Sequence, residues 1–108
     1  MAKTTDKFTY RVTWSEEDQE YVGLCAEFPA LSWLDISQVD ALAGICKLVR
    51  RCVSDMNKQG EDVPEPFSTR QFSGKFMVRV PPEMHRQLAI QAAESGVSLN
   101  RLIASKLH

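Results

Sequence analysis

The stretch that decides the fold is KFMVRVPPEMHRQLAIQAAESGVSLNRLIASKL, residues 75–107. Its first six residues alternate in polarity and predict a short strand. Two helical patterns follow, separated by Gly96-Val97-Ser98. One strand and two short helices are too small to bury their own apolar side chains. The sequence therefore predicts a module that dimerises, with the strands of two copies paired.

Specific residues mark the limits of the two helices. Pro82 suits a first helical turn, and Glu83 lies beside the positive end of the helix dipole. Gly96 suits a left-handed residue after a helix end, and Ser98 suits the cap of the last helix. The apolar faces of the two helices consist of Met84, Leu88, Ala89, Ala92, Leu99, Leu102, Ile103 and Leu107. The three-residue turn between them predicts helices that cross.

The predicted strand, residues 75–80, has two different faces. Its apolar face consists of Phe76, Val78 and Val80, and its outward face consists of Lys75, Met77 and Arg79. In an antiparallel pair of two copies, four of the six outward side chains are cationic. Such a ribbon fits the major groove of DNA, where Arg and Lys donate to guanine. An ordinary edge strand with solvated charges explains the strand alone equally well.

The first part of the chain predicts a small antiparallel sheet. Residues 8–14 alternate between apolar and polar side chains, as in a half-buried strand. A charged turn follows, and residues 21–26 predict the second strand of a hairpin. Gly23 inside that strand indicates a bulge or a close approach of another backbone. Residues 30–34 predict a short third strand.

A long helix is predicted after the sheet. Ser37 suits its N-cap, and Asp40 is placed to act as a short variant of the capping-box acid. The apolar stripe of this helix consists of Leu42, Ile45, Cys46, Val49, Cys52, Val53 and Met56. Gly60 predicts the helix end. The proline-containing residues 61–73 predict no helix, but one edge strand near Val63.

These patterns predict an α+β fold with two domains. The first domain, residues 6–66, contains the small antiparallel sheet and one helix. Residues 67–73 form a linker, and residues 74–107 form the β-α-α module that dimerises.

The charge is divided unequally along the chain. Residues 1–66 carry seven Lys and Arg against twelve Asp and Glu, a net charge of −5, whereas residues 67–108 carry six against two, a net charge of +4. An acidic half suits a basic partner, and a basic half suits a phosphate backbone.

Composition indicates a cytoplasmic protein that does not enter a membrane. No run approaches the roughly 18 apolar residues of a membrane span, and the first residues lack the apolar core of a secretion signal. The cysteines are odd in number and lack C-x-x-C spacing, which predicts buried free thiols rather than a metal or redox role. They are Cys25, Cys46 and Cys52.

The sequence contains no catalytic constellation, so we expect no enzyme activity, no metal and no cofactor. Phosphate-binding, dinucleotide-binding and nucleophile-elbow motifs are absent. His85 and His108 have no adjacent ligand or triad partner and are predicted to be surface histidines. The carboxylates fall mainly in a turn and at a helix start, where solvation explains them better than a metal site. They are Glu16, Glu17, Asp18, Glu20, Glu27, Asp35 and Asp40.

Trp33 has two interpretations. It lies in the apolar segment Leu31-Ser32-Trp33-Leu34, between Pro29 and the predicted helix cap. Large aromatic side chains are common at binding hot spots, but they also pack beneath helices. Both roles fit this position.

The closing module resembles the ribbon-helix-helix repressors of the MetJ/Arc type. The resemblance rests on a basic strand, Pro81-Pro82, a helix, G-x-S-x-N at residues 96–100 and a last helix. It implies base contacts from Lys75, Met77 and Arg79. Met77 departs from the polar residue common in that family, so base contact there would be apolar or weak.

The turn before the last helix predicts a phosphate clamp. Gly96, Val97 and Ser98 open that helix with backbone N–H groups that we expect to be free, and Asn100 lies in the first turn, where it could support the clamp. The same turn matches the phosphate clamp of the ribbon-helix-helix family.

The first domain resembles the HicB antitoxin family. The resemblance rests on YRV at residues 10–12, an acidic turn, YVG at 21–23, EFPAL at 27–31 and a Ser-capped helix before a proline-rich linker. It implies a degraded RNase H-like domain that binds a HicA toxin, a small mRNA-cleaving protein. Many members carry a C-terminal DNA-binding module that represses their own operon. Ser32-Trp33 departs from the Gly-Cys pair usual after F-P-x-L.

Together the two resemblances imply an antitoxin of a type II toxin-antitoxin system. It would neutralise a HicA-type mRNA interferase and repress its own operon as a homodimer on double-stranded operator DNA, or as a tetramer if the first domains also pair. The alternative is a stand-alone ribbon-helix-helix transcriptional regulator whose first domain binds a ligand or another protein. A small nuclease is a third hypothesis, disfavoured because residues 8–14 contain no carboxylate.

Overall fold

The computed structural model describes residues 3–107 and divides into two compact units, here called the sheet unit (Met1–Phe72) and the helical unit (Ser73–His108). The elements in chain order are a 3₁₀ turn (Thr4–Lys7), strands β1 (Tyr10–Ser15), β2 (Glu20–Cys25) and β3 (Ser32–Asp35), and helices α1 (Gln38–Lys58), α2 (Pro82–Ser95) and α3 (Leu99–Lys106). The predicted α+β class is confirmed. His108, predicted to be a surface histidine, lies outside the described residues.

The sheet has the order β1-β2-β3, with both pairs antiparallel. The β1-β2 register runs past Gly23 without a bulge. A Cβ atom at Gly23 would lie 2.6 Å from the carbonyl oxygen of Ala41 and 2.8 Å from Cγ2 of Ile45. The predicted close approach is therefore confirmed, because only glycine lets α1 pack this closely on β2.

The start of α1 agrees with the sequence in one respect and differs in another. The Ser37 hydroxyl accepts a hydrogen bond from the Asp40 N–H at 3.3 Å, as predicted for an N-cap. Asp40 does not act as the capping-box acid. The Ser37 N–H donates instead to Oδ1 of Asp35 at 3.3 Å, so a residue before the helix satisfies this donor. The helix ends at Lys58, shortly before Gly60, which has a φ of 73°.

The core of the sheet unit lies between the sheet and α1. Its buried residues are Phe8, Cys25, Ile45 and Val49, and half-buried apolar residues around them are Tyr10, Phe28, Leu31, Leu48, Val53 and Val63. Phe8 was predicted to start the first strand, but it precedes β1 and is buried. All three cysteines are free, and only Cys25 is fully buried.

The predicted stripe of α1 is buried or half-buried except at its first residue, Leu42. Leu42 is 43% exposed, whereas the small residues Ala41 and Gly44 are buried. The Trp33 indole lies directly over Gly44, in the space that a Cβ atom would fill. The predicted stripe is therefore confirmed from Ile45 onward and wrong at Leu42, where close packing against the sheet and Trp33 buries small side chains instead.

Glu27 fastens the segment after α1 to the sheet. Its carboxylate accepts hydrogen bonds from the Thr9 N–H at 2.9 Å and the Phe67 N–H at 2.8 Å. The side chain is only 9% exposed, so the prediction of a solvated acidic residue is wrong here. Burial raises the pKa of this carboxyl, but the N–H groups of Phe67 and Thr9 outweigh that effect, so its pKa lies below its ordinary value.

The beginning of the predicted linker is bonded to the sheet unit. The Ser68 hydroxyl donates to the carbonyl of Lys7, and the Arg70 guanidinium lies 4.6 Å from the centre of the Phe67 ring. The rings of Phe67 and Phe72 stack at 6.4 Å. The division between the two units accordingly falls after Phe72.

The helical unit contains α2 and α3 and no strand. Pro82 occupies the first turn of α2, Gly96 ends it with a φ of 68°, and the Ser98 hydroxyl caps α3 by accepting from the Arg101 N–H at 3.1 Å. These predictions are confirmed. The predicted strand at residues 75–80 is not formed, because a strand requires a ladder partner and no described segment of this single chain supplies one.

Candidate nucleic-acid interface

The three predicted base-contacting side chains lie on one exposed segment. Lys75, Met77 and Arg79 are all exposed, Met77 to 84%. The segment follows Gly74, which has a φ of 82°, and the Lys75 N–H donates to the Ser73 hydroxyl at 3.1 Å. The structure thus keeps these side chains accessible over a few residues.

The apolar side chains of the same segment border an open groove of about 600 Å³, here called the apolar groove. Phe76 and Val78 are 75% and 63% exposed. The complete lining consists of Phe76, Val78, Arg79, Val80, His85, Leu88, Leu99, Ile103, Lys106 and Leu107. Phe76, Val78 and Val80 all line the groove, as the predicted alternation requires. Arg79, which is predicted to point outward, also reaches the rim of the groove.

The helical unit lacks a closed core. Among its described residues only Ala92 is buried, although α2 and α3 both carry apolar faces. Apolar patches of this kind on small units mark interaction surfaces. The apolar groove is therefore a candidate interaction surface.

The turn between α2 and α3 offers a different set of N–H groups from the expected one. The Gly96 N–H donates to the Ala93 carbonyl at 3.2 Å, and the Val97 N–H donates to the Ala92 carbonyl at 3.1 Å. These two bonds close the C-terminus of α2, so the expectation of free N–H groups is corrected for Gly96 and Val97.

The N–H groups without an acceptor belong to the first turn of α3. Within residues 3–107, the backbone N–H groups of Ser98, Leu99 and Asn100 have no hydrogen-bond partner. Asn100 is exposed beside them. The sequence missed this shift because G-x-S marks both a helix end and a helix start, and only the backbone geometry shows which donors each end uses.

The cationic side chains of the helical unit are available for a ligand. Residues 73–108 carry five Lys and Arg against two Asp and Glu, a net charge of +3. In the part of the chain that the structure describes, the one ion pair joins Arg50 to Asp6 at 3.0 Å, in the sheet unit. That hydrogen bond lowers the pKa of the Asp6 carboxyl.

The acidic turn of the sheet unit is a surface feature. The Trp14 indole N–H donates to Oε2 of Glu16 at 2.7 Å, and this bond lowers the pKa of the Glu16 carboxyl. Between residues 3 and 107, no three His, Cys, Asp or Glu side chains come together in a way that could hold a metal ion. Trp33 packs on Gly44, as the packing interpretation predicts, and its side chain remains 37% exposed.

Comparison with known proteins found one similarity, which covers part of the chain. No curated protein and no solved structure matches it. None of the described helices has the length and apolar character needed to span a membrane. The family match starts directly after α1, contains the whole candidate interface and leaves the three-stranded sheet outside. The match is of residues 59–107, fewer than half of the residues of the chain, to the model of the HicB family.

Proposed function

We propose that this chain is an antitoxin whose sheet unit neutralises a HicA-type mRNA interferase and whose helical unit dimerises on operator DNA to repress its own operon. The observation that carries the proposal is the apolar groove of the helical unit, bordered by an exposed segment in which cationic and apolar side chains alternate. Both features are explained by one event, the pairing of two copies.

A second copy supplies what the helical unit lacks. Antiparallel pairing of residues 75–80 from two copies provides the missing ladder hydrogen bonds. Phe76, Val78 and Val80 of both copies then enter a common core with the groove-lining residues of α2 and α3. Full burial of each such side chain contributes about 1.5–3 kcal/mol, which is substantial for so small a unit. The resulting dimer has twofold symmetry.

The pairing leaves Lys75, Met77 and Arg79 of both copies on the outer face of a two-stranded ribbon. Such a ribbon fits the major groove of DNA, where Lys and Arg donate to O6 and N7 of guanine. Met77 offers an apolar contact, for which the methyl group of thymine is the natural partner. Twofold symmetry predicts a palindromic operator.

The start of α3 is the proposed binding site for a DNA phosphate. The unpartnered N–H groups of Ser98, Leu99 and Asn100 lie at the positive end of that helix. Gly96 and Val97 shape the turn that presents them, with their own N–H groups bonded to α2. The Asn100 side chain can add a further donor beside a bound phosphate.

The sheet unit is suited to a basic protein partner. Residues 1–72 carry eight Lys and Arg against twelve Asp and Glu, a net charge of −4. A protein that cleaves RNA needs a basic surface for its substrate, and an acidic partner can cover that surface by charge complementarity. The exposed turn at residues 16–19 contributes three of the carboxylates, and the half-buried Glu20 at the start of β2 contributes a fourth.

The DNA contact is tested by replacing Arg79 with alanine. We expect the Arg79→Ala variant to bind a duplex from upstream of its own gene about 1–3 kcal/mol more weakly, and to discriminate less against unrelated DNA. Arg86→Ala is the matched control, because it removes the same charge from α2 outside the proposed ribbon. If both variants lose the same binding free energy and keep their discrimination between sequences, Arg79 contributes only general electrostatic attraction. That result would contradict the proposed DNA-reading ribbon.

The division of labour is tested by removing residues 74–108. This deletion should abolish DNA binding and leave toxin binding intact, measured by co-purification with the product of the adjacent gene. Loss of toxin binding as well would show that the two roles are not separated in this way.

A second candidate, a stand-alone regulator whose sheet unit binds a ligand or another protein, is favoured by the extent of the family match, which does not include the sheet. A neighbouring gene for a small basic protein that co-purifies with the chain favours the antitoxin, and the absence of such a gene favours the regulator.

A further inference from the structure

The outer edge of β1 is an unpaired strand edge. β1 stands at the end of the sheet order, and nothing in residues 3–107 pairs with its outer side. Natural sheets usually shorten, charge or cover such edges, because an exposed edge is a template for another strand. β1 extends over six residues and carries one charged side chain, Arg11.

The register shows which backbone groups this edge presents. The Ala26 N–H donates to the Thr9 carbonyl, so Thr9 occupies a position of the ladder whose backbone groups face β2. In an antiparallel ladder such positions alternate with positions whose backbone groups face away from the partner strand. Arg11, Thr13 and Ser15 therefore bond to β2. The outward N–H and C=O groups belong to Tyr10, Val12 and Trp14.

We propose that this edge pairs antiparallel with β1 of a second copy, centred on Val12, so that two three-stranded sheets become one sheet of six strands. In this register Val12 lies opposite Val12 and Tyr10 lies opposite Trp14. All outward N–H and C=O groups then meet a partner, because the free positions of one copy face the free positions of the other.

The side chains of β1 complement themselves in the same register. Tyr10 and Trp14 form an aromatic pair at each end, and aromatic cross-strand pairs stabilise sheets. Trp14 is 45% exposed in the single chain and rests edge-on against Tyr21 at 5.1 Å, so it can accept a further neighbour. Arg11 lies opposite Thr13, so no like charges meet.

The opposite edge of the sheet fits this role less well. β3 has four residues, and the same alternation leaves only Ser32 and Leu34 with outward backbone groups. A toxin strand could in principle occupy the edge of β1. Self-complementarity of length, register and charge favours a second copy of this chain instead.

Tethering adds to the strength of the pairing. A dimer held through the helical unit keeps a second sheet unit at high local concentration. This step rests on the proposed function, whereas the register of β1 does not. If the two β1 strands of one dimer pair with each other, the assembly remains a dimer. If β1 strands of two different dimers pair, the assembly is a tetramer.

The test is cysteine crosslinking of the full chain, with Cys46 and Cys52 replaced by serine. Arg11 and Thr13 of two copies would be opposed without hydrogen bonds, with Cα atoms about 4.5 Å apart, a distance that a disulfide can bridge. Under oxidised glutathione, the Arg11→Cys/Thr13→Cys variant should form a covalent dimer. Each single variant should not, because neither cysteine faces its own copy.

Proline at the centre of the edge provides the control. The Val12 N–H points away from β2, so Val12→Pro removes no bond within the sheet but removes bonds across the proposed interface. Adding Val12→Pro to the double-cysteine variant should abolish the covalent dimer, with tryptophan fluorescence reporting an intact sheet unit.

Three outcomes overturn the inference: no crosslink in the double-cysteine variant, a crosslink in Thr13→Cys alone, which means a different register, or a Val12→Pro variant that keeps its assembly size and loses toxin binding. If the specific crosslink forms but the protein does not bind DNA, the β1 pairing is supported and the proposed function is contradicted.

Discussion

The two units of this chain carry apolar patterns of similar clarity, yet they differ in whether the chain buries them. In the sheet unit, Ile45 and Val49 of α1 are completely buried against the sheet. In the helical unit, Phe76 and Val78 lie exposed beside the apolar groove, and Ala92 is the one buried residue described there. An apolar pattern thus identifies the side chains that favour burial. It does not show whether the same chain or a second molecule buries them.

Size explains the difference. The sheet unit has enough chain to close a core between three strands and a long helix, whereas the helical unit has too little surface to bury against itself. Ordering α2 and α3 costs conformational entropy, and the one buried residue described in this unit, Ala92, does little to offset that cost. Four predictions sharpen or break this comparison.

The largest effect is expected from Phe76→Glu. A carboxylate at this position should prevent the proposed dimer and unfold α2 and α3, since it would place an unpaired charge in the interface of that dimer, where burial is strongly destabilising. Sedimentation equilibrium and far-ultraviolet circular dichroism measure both losses. Met77→Glu is the matched control, because Met77 points outward and does not line the groove. A dimer that survives Phe76→Glu would show that the groove is not its interface.

The next effect compares isoleucines in the two units. Ile45→Ala should destabilise the sheet unit by about 2–5 kcal/mol, independently of protein concentration. Ile103→Ala should destabilise the helical unit in a concentration-dependent way, because Ile103 lines the apolar groove. Both tryptophans lie in the sheet unit, so their fluorescence in urea follows that unit alone. Concentration dependence for Ile45→Ala would mean that the sheet unit also needs a partner to fold.

A smaller effect concerns Glu27. The folded-state pKa of its carboxyl is depressed, so its contribution is present above the ordinary value near 4.5 and is lost as the pH falls through the folded value. Glu27→Gln should cost about 1–3 kcal/mol at neutral pH and flatten the acid side of the stability profile. Glu17→Gln, on the exposed turn, is the control. Identical acid profiles in all three proteins would contradict an anchoring role for Glu27.

The smallest effect compares the two serine caps. Ser37→Ala and Ser98→Ala each remove one bond to a backbone N–H and should each cost about 1 kcal/mol. The loss at Ser37 should appear in the fluorescence of the sheet unit, and the loss at Ser98 in the dissociation of the proposed dimer. A Ser98→Ala variant that dissociates as the parent does would separate the folding of α3 from dimerisation.

Much of the local structure follows from sequence pattern. The hairpin, the caps at Ser37 and Ser98 and the left-handed Gly96 depend on neighbours within a few residues, so periodicity and residue type identify them. The outward position of Lys75 and Met77 also follows from simple alternation. By contrast, the role of the Gly96 and Val97 N–H groups depends on where α2 closes, which the G-x-S pattern does not specify.

Capping and amphipathic spacing act over one or two turns, so residue type and periodicity identify the helix limits and the side chains that favour burial. The burial of Glu27, the position of Gly44 beneath Trp33 and the open edge of β1 emerge only when the chain is folded. These facts depend on which distant segments meet, and that is set by the packing of the whole sheet unit rather than by local residue preference.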